Sequence, residues 1–366
     1  MKTLIALLLF TFPIAGNAQQ VDLVTPLQNN LIETSGLVLL DNRLITHNDS
    51  GGAAALYEID STTGNIQRTV VIQNATNVDW EDICFDDTYM YIADFGNNNG
   101  SRTNLRVYRL FISDYLNTPN DTVSAETISF NYADQTDFTS TTFSTNYDAE
   151  AIISWNDSLY IFTKNWGNMW TNIYALPKTP GNYSLPRVDS INVDGLITGA
   201  HFNQASNTIM LSAYAFTYPF VVEIGNIAGT QFSAADVVRT QIQLPSGYSY
   251  QLEGIAPISA NNYYISTEES FAGSSGLFRL KMSAANTVSP SLSNTSYSVF
   301  PNPATDVIHI HAPNANTAEI YSINGKLIQS TTEKSIRVSQ LNAGMYLIRL
   351  KNKAGHTIAS EKVMIQ

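Results

Sequence analysis

Charge is scarce in this chain: of 366 residues only 14% are Asp, Glu, Lys or Arg, and 31 acidic residues outnumber 19 basic ones. The formal net charge of −12 opposes attraction to phosphate backbones or anionic lipid, which argues against a nucleic-acid role. The single cysteine, Cys84, allows no internal disulfide, and in the apolar run Ile83-Cys84-Phe85 it reads as a small buried hydrophobe. Long hydrophobic runs are missing as well. The apolar stretch Leu4 to Ile14 is shorter than the ~20 residues a membrane span needs, and no later segment qualifies. With Lys2 before it and Gly16 and Ala18 after it, residues 1–18 have the pattern of a secretory signal peptide cut before Gln19. The sequence also lacks a Gly-x-Ser-x-Gly elbow, a His-Glu-x-x-His motif, a phosphate loop and a dinucleotide fingerprint. Only two histidines, His47 and His201, precede residue 283, so a Ser-His-Asp or Cys-His mechanism has few candidates.

What is abundant points to β-structure. Hydrophobic residues make up 44%, enough for a core, and 19 Tyr and 16 Phe accompany many Asn, Ser and Thr, a bias toward strands and turns. Self-comparison of residues 19–282 gives five copies of a unit that opens with a polar residue and then, usually, a small one: Ser35-Gly36, Glu81-Asp82, Glu150-Ala151, Thr198-Gly199 and Glu253-Gly254. A second strand ends each time in a polar cluster, at Asp49, Asp94, Lys164, Tyr214 and Glu268, and a third follows a Gly- or Asn-rich loop. A fourth is visible in four copies. The fifth copy lacks it, and Val21-Asp-Leu-Val24 near the mature N-terminus is the candidate to complete it. Four-stranded units recurring in this way predict a β-propeller, all-β, with five blades favoured over six and a ring closed by the N-terminal strand. The Thr/Ser/Asp-rich segment 133–146 reads as a loop inserted in the second unit, and 283–296, which has no apolar periodicity, reads as a linker.

Aligned on the repeat, Ser35, Glu81, Glu150, Thr198 and Glu253 occupy the innermost positions around the channel, and the ends of the second strands open at one mouth. Like charges across a narrow, partly desolvated space raise one another's pKa values. Three kinds of relief are open. One is a hard cation: Ca2+ takes about 6–8 oxygen ligands, which suits carboxylates better than Zn2+, and Asp49, Glu81, Asp94, Glu150, Glu253 and Glu268 with Asn48 are the candidate ligands. Another is a catalytic carboxylate pair drawn from Glu81, Glu150 and Glu253, with His47 and His201 as the available imidazoles. The third is salt bridging to Lys164, Arg102 or Arg106, or plain hydrogen bonding of acids to backbone amides at strand ends. Trp166 and Trp170, beside Lys164, are placed in a mouth loop with Tyr214, Tyr218, Phe271 and Trp80, where aromatics would stack on a sugar or peptide unless they pack between blades.

The segment 297–366 carries the most specific pattern. Tyr297-Ser-Val-Phe-Pro-Asn-Pro303 is followed by Val307-Ile-His-Ile310, Ile320-Tyr-Ser-Ile-Asn-Gly-Lys326, Leu341-Asn-Ala-Gly-Met-Tyr-Leu-Ile-Arg-Leu350 and a last strand at 362–366. Its seven short alternating runs, broken by turn residues, predict a small antiparallel Ig-like sandwich. His309 and His311 alternate onto one solvent-facing side of a strand. In order and spacing the segment resembles the C-terminal sorting domain of the type IX (Por) secretion system of Bacteroidetes. The resemblance implies export across both membranes, recognition by the type IX translocon, and a product at the cell surface or released. In the propeller, the tripeptides Ser35-Gly-Leu37, Asn48-Asp-Ser50 and Glu253-Gly-Ile255 resemble those of phytase-like esterase propellers and their calcium-containing lactonase relatives. Two functions follow as expectations. One is an exported propeller that binds an extracellular glycan or protein at an acidic, aromatic mouth, with Ca2+ as candidate cofactor. The other is a metal-assisted hydrolase or lyase acting on a phosphoester, lactone or polysaccharide.

Overall fold

The computed structural model describes residues 19–366 apart from 28, 216–217, 271, 283–297, 313, 323–325 and 354–356. The expected signal peptide, the linker and Phe271 lie outside the described residues.

Five sheets form the propeller. The first blade consists of Thr34–Leu40, Arg43–Asn48, Ala55–Ile59 and Ile66–Ile72; the second of Trp80–Phe85, Tyr89–Asp94, Arg106–Phe111 and Glu126–Tyr132. The third holds Ala149–Trp155, Ser158–Thr163, Trp170–Pro177 and Arg187–Asn192; the fourth Leu196–Asn203, Thr208–Ala215, Tyr218–Gly225 and Asp236–Gln241. The fifth has Leu252–Ser259, Asn262–Thr267 and Gly276–Lys281, and its outermost strand is Gln20–Pro26 from the other end of the propeller, antiparallel to Gly276–Lys281. Each innermost strand packs against those of the two adjacent blades, and the first meets the fifth, so the ring closes at five. Tight hairpins join inner to second strands: Asp41 and Asn42 take φ of 48° and 62° between the paired Leu40 and Arg43, a left-handed geometry that Asp and Asn tolerate. The blades also exchange outer strands, which the repeat pattern does not announce. Thr122–Val123 adds parallel to Ile66–Ile72 of the first blade, and Gly181–Leu185 adds parallel to Glu126–Tyr132 of the second.

The innermost strands share one irregularity. In every blade the ladder between first and second strand slips at the polar-small pair: between Thr34 and Leu37, Trp80 and Asp82, Ala149 and Ala151, Ile197 and Gly199, and Leu252 and Gly254. A β-bulge leaves a residue unpaired and re-aims its side chain. The residues left over are Glu81, Glu150, Thr198 and Glu253, with Ser35-Gly36 in the first blade. The small residue that follows is required by packing. A Cβ on Gly36 would lie 2.6 Å from the Ile83 amide nitrogen, and one on Gly254 2.9 Å from the Ser35 carbonyl oxygen. The second blade breaks the rule with Asp82, which is buried and serves as a clasp. Its carboxylate accepts the amides of Ile83 (2.8 Å), Ile152 (2.9 Å) and Ala200 (3.1 Å), tying the second blade to the third and fourth.

Residues beyond 297 form two small sheets, Ser298–Phe300, Val307–His311 and Ser335–Arg337 in one, Leu327–Thr331, Thr317–Ser322, Gly344–Lys351 and Thr357–Ile365 in the other. They enclose their own core of Ile308, Ile320, Ile336, Ile348, Leu350 and Val363. His309 and His311 are exposed on one strand face, and Cys84 is buried, both as expected.

Candidate functional site

Four of the five bulges and four of the five second-strand ends converge on a cavity of about 300 Å³ at one mouth of the channel. Ser35, Asp49, Glu81, Glu150, Lys164, Trp166, Tyr214, Glu253 and Glu268 line it, so most of the residues predicted from the repeat are brought together. Thr198 is not available: its hydroxyl is fully buried and donates to the Leu252 carbonyl.

Two sectors can be distinguished by charge. In the first, the Lys164 ammonium stands 3.0 Å from Glu150 and about equally far from the rings of Trp166 (5.1 Å) and Tyr214 (5.3 Å). Burial opposes the charge on Lys164, but Glu150, then Tyr214, Glu253 and Asp148, outweigh it and hold the ammonium protonated. Burial pushes the Glu150 carboxyl up despite Lys164, and burial together with Glu268 pushes up Glu253. Glu268 is in turn held by the Gln251 amide at 2.5 Å.

In the second sector, Asp49, Asp79 and Glu81 each bring one carboxylate oxygen to within 4.8 Å of the others. Glu81 is 3% exposed, and its Oε1, like Asp49 Oδ1 and Asn48 Oδ1, has no hydrogen-bond partner among the described residues. Burial, then the neighbouring acids, raises the pKa of Glu81 and Asp49, and burial with Asp148 brings Asp79 to about 6. The nearest cation, Arg102, is 4.0 Å from Asp79 and spends its closer contact, 2.9 Å, on Asp94. Gly96 makes the cluster feasible, because a Cβ there would lie 2.6 Å from Asp79 Oδ2 and would collide with Glu81 Oε1. Three carboxylate oxygens gathered this closely, those of Asp49 and Glu81 buried without a partner among the described residues and no nitrogen or sulfur donor beside them, fit a hard divalent cation such as Ca2+.

Several expected site residues lie elsewhere. Asp94 does not line the cavity and is ion-paired with Arg102 at 2.9 Å and Arg106 at 3.3 Å, cations that compete with a metal for its oxygens. His47 is completely buried, edge-on to Trp80 at 5.7 Å, with Nδ1 3.1 Å from the Asn48 carbonyl. Trp80 is likewise sealed between blades and donates its indole N–H to the Thr76 carbonyl. Trp170 is 39% exposed but opens the third strand of its blade and faces a separate groove. His201 stands at the opposite mouth, in a cavity of about 630 Å³ with Asp86, Arg109 and Lys178. The reason is strand rise: three residues past Thr198 at ~3.3 Å each carry the inner strand through the channel.

Two contributors were missed. Asp79 and Asp148 occupy the position two residues before the inner glutamates Glu81 and Glu150, so aligning one more column of the repeat would have found both. Asp148 accepts the Asn97 amide (2.6 Å) and the Trp166 indole N–H (2.7 Å) and so fixes the aromatic wall.

Burial lowers the pKa of His201 to about 4. Its folded value lies below the unfolded one, so the stability it contributes is present above pH ~6.5 and is lost as pH falls toward about 4. His201→Gln is expected to remove about 1–2 kcal/mol of that acid-limb loss, the partly exposed ring being screened by water, and urea melts at several pH values check it.

Residues 298–366 match the family described as "Secretion system C-terminal sorting domain". The molecule is thus a β-propeller joined to a sorting domain. More particularly, it is a type IX sorting protein, and its tail marks it for export to the cell surface or extracellular space. No curated protein matches the chain. Among solved structures it is similar to the exo-β-1,3-galactanase of Phanerochaete chrysosporium in complex with β-1,3-galactotriose, at 11% identity over 95% of this chain and 100% of that one, with a TM-score of 0.46. The PQQ-bound aldose sugar dehydrogenase of Streptomyces coelicolor is 12% identical over 73% of this chain and 99% of that one, TM-score 0.40. The Bombyx mori GH32 β-fructofuranosidase is 9% identical over 95% and 89%, TM-score 0.38. No described helix is long and apolar enough to cross a membrane.

Proposed function

We propose that the channel mouth binds a small, hydroxyl-rich extracellular ligand, such as the end of a glycan, beside a Ca2+ ion held by Asp49, Asp79 and Glu81. The observation that carries this reading is the convergence of three carboxylates, two of which, Asp49 and Glu81, line the cavity and have a buried oxygen without a hydrogen-bond partner among the described residues, next to a protonated lysine and two aromatic rings. A cavity of about 300 Å³ suits a sugar-sized group and is too small to take in the face of a protein. A bound Ca2+ would supply positive charge and open coordination positions for ligand oxygens. The chain's own groups do the rest. Lys164 donates to ligand oxygens, the Glu253 and Glu268 carboxyls accept from or donate to hydroxyls, and Trp166 and Tyr214 offer apolar faces to a ring.

A hydrolytic variant of this reading rests on Glu150 and Glu253, two buried carboxyls with raised pKa values near one lysine, the setting in which one acid stays protonated. Calorimetric titration with a panel of oligosaccharides in Ca2+, repeated in chelator and monitored for product, tests both. Binding that requires Ca2+ and is weakened at least about tenfold in Glu253→Gln is the expected result. Turnover that Glu150→Gln abolishes would assign the hydrolytic variant, and equal binding with and without Ca2+ would refute the role of the ion.

A further inference from the structure

The sorting domain lies on the mouth rather than beside it. Tyr321 and Leu347 pack into one buried apolar cluster with Trp166, Met169, Leu196 and Tyr214 of the propeller. Two of those propeller residues, Trp166 and Tyr214, are the aromatic wall of the cavity, and Met345 from the same sorting-domain strand as Leu347 reaches its lining. Polar contacts fix the placement. The Lys362 ammonium donates to the Trp166 carbonyl, and the Arg349 guanidinium sits 5.2 Å over the Tyr218 ring while also covering Tyr321 at 5.1 Å. Burial in this contact brings the Lys362 ammonium down to about 8.

We propose that the sorting domain is a cover for the channel-mouth site, so that the ligand gains full access only when the domain is displaced or removed. The proposal rests on the mouth being the binding site, and it makes a carrier signal double as a device that keeps the site closed during export. The apolar patch of Trp166, Met169, Leu196 and Tyr214 becomes the ligand's platform once Tyr321 and Leu347 leave it. Neither role needs a change within the propeller, whose ring closes through its own N-terminal strand.

The test compares the full chain with Leu347→Asp and Lys362→Met in the same chain, by hydrogen exchange of residues 164–170, by acrylamide quenching of tryptophan and by Ca2+ calorimetry. A severalfold rise in exchange at 164–170 in Leu347→Asp, with a smaller rise in Lys362→Met and quenching that increases in parallel, is expected. Should Leu347→Asp unfold the sorting domain altogether, seen as lost protection at Thr317–Ser322, the rise at 164–170 must still occur. Unchanged exchange and quenching in both variants, or in a chain whose sorting domain has unfolded, would overturn the cover. If 164–170 opens but neither the parent nor the variants bind Ca2+, the cover stands and the cation reading of the site fails, so the two ideas are separable.

Discussion

Deleting residues 20–26 should abolish the cooperative unfolding transition of the propeller, the largest effect expected from any small change. Gln20–Pro26 supplies the outermost strand of the fifth blade, pairing with Gly276–Lys281 from Gln20 opposite Lys281 to Pro26 opposite Gly276 with one slip between Leu23 and Thr25. At its end the Leu27 amide donates to the Ser275 carbonyl, and the Ser275 hydroxyl returns a bond to the Leu27 carbonyl. Leu27 is 4% exposed and belongs to the core between the first and fifth blades. Without the strand, the third strand of the fifth blade becomes a free edge, and the core shared by the first and fifth blades, which includes Ile59 and Leu277, loses the cover of Leu27 and Val24. The loss is comparable with the whole stability of a domain, about 5–15 kcal/mol. Circular dichroism melts check it: a single sharp transition within a few degrees of the parent would show that the ring does not depend on this closure.

The second large effect concerns Asp82. Asp82→Ala should cost about 3–5 kcal/mol, because it leaves buried amides of Ile152 and Ala200 without acceptors at the centre of the ring and opens a void. The informative comparison is Asp82→Asn. One carboxylate oxygen meets Ile83 and the other meets both Ile152 and Ala200, so every contact is with a donor. An amide group would aim its own N–H at one of those amides. Asp82→Asn should therefore cost about 2 kcal/mol or more, even though it removes a buried charge that burial alone disfavours. If Asn proves neutral or stabilising while Ala is costly, Asp82 fills space and its clasp role is wrong. Urea denaturation with fixed m-values separates these outcomes.

The two cases show what the sequence makes legible. The strand Gln20–Pro26 could be anticipated because a missing fourth strand in the fifth unit and a spare apolar run at the start are both properties of the pattern. The inner positions of Glu81, Glu150 and Glu253 could be anticipated for the same reason, since repetition fixes depth. Asp82 could not: it stands where the other units have Gly or Ala, and only the bulge explains why a small residue is needed there and where a longer one must point. Direction along the channel was lost as well. His201 follows Thr198 closely in sequence but belongs to the other mouth, and Trp80, adjacent to the cavity-lining acid Glu81, faces the opposite way into the blade interface. Alternation within a strand and rise along it set these fates, and the repeat register alone carries neither. The sorting domain is the reverse case. Its own core is readable as a sandwich, but the face formed by Tyr321 and Leu347 looks like ordinary strand residues until the mouth is seen beneath it.

Asp49, Asp79 and Glu81 are proposed to hold a cation at the channel mouth. Calorimetric titration of the full chain with Ca2+, paired with thermal melts of the parent and Glu81→Gln, tests it most directly. One equivalent of Ca2+ should bind, and at 100 times its dissociation constant it should stabilise the parent by about 2.7 kcal/mol. Glu81→Gln should lose both signals without melting earlier than the cation-free parent, since it removes a buried, uncompensated carboxylate. No heat and no shift in the parent, or binding that survives Glu81→Gln unchanged, would contradict the assignment.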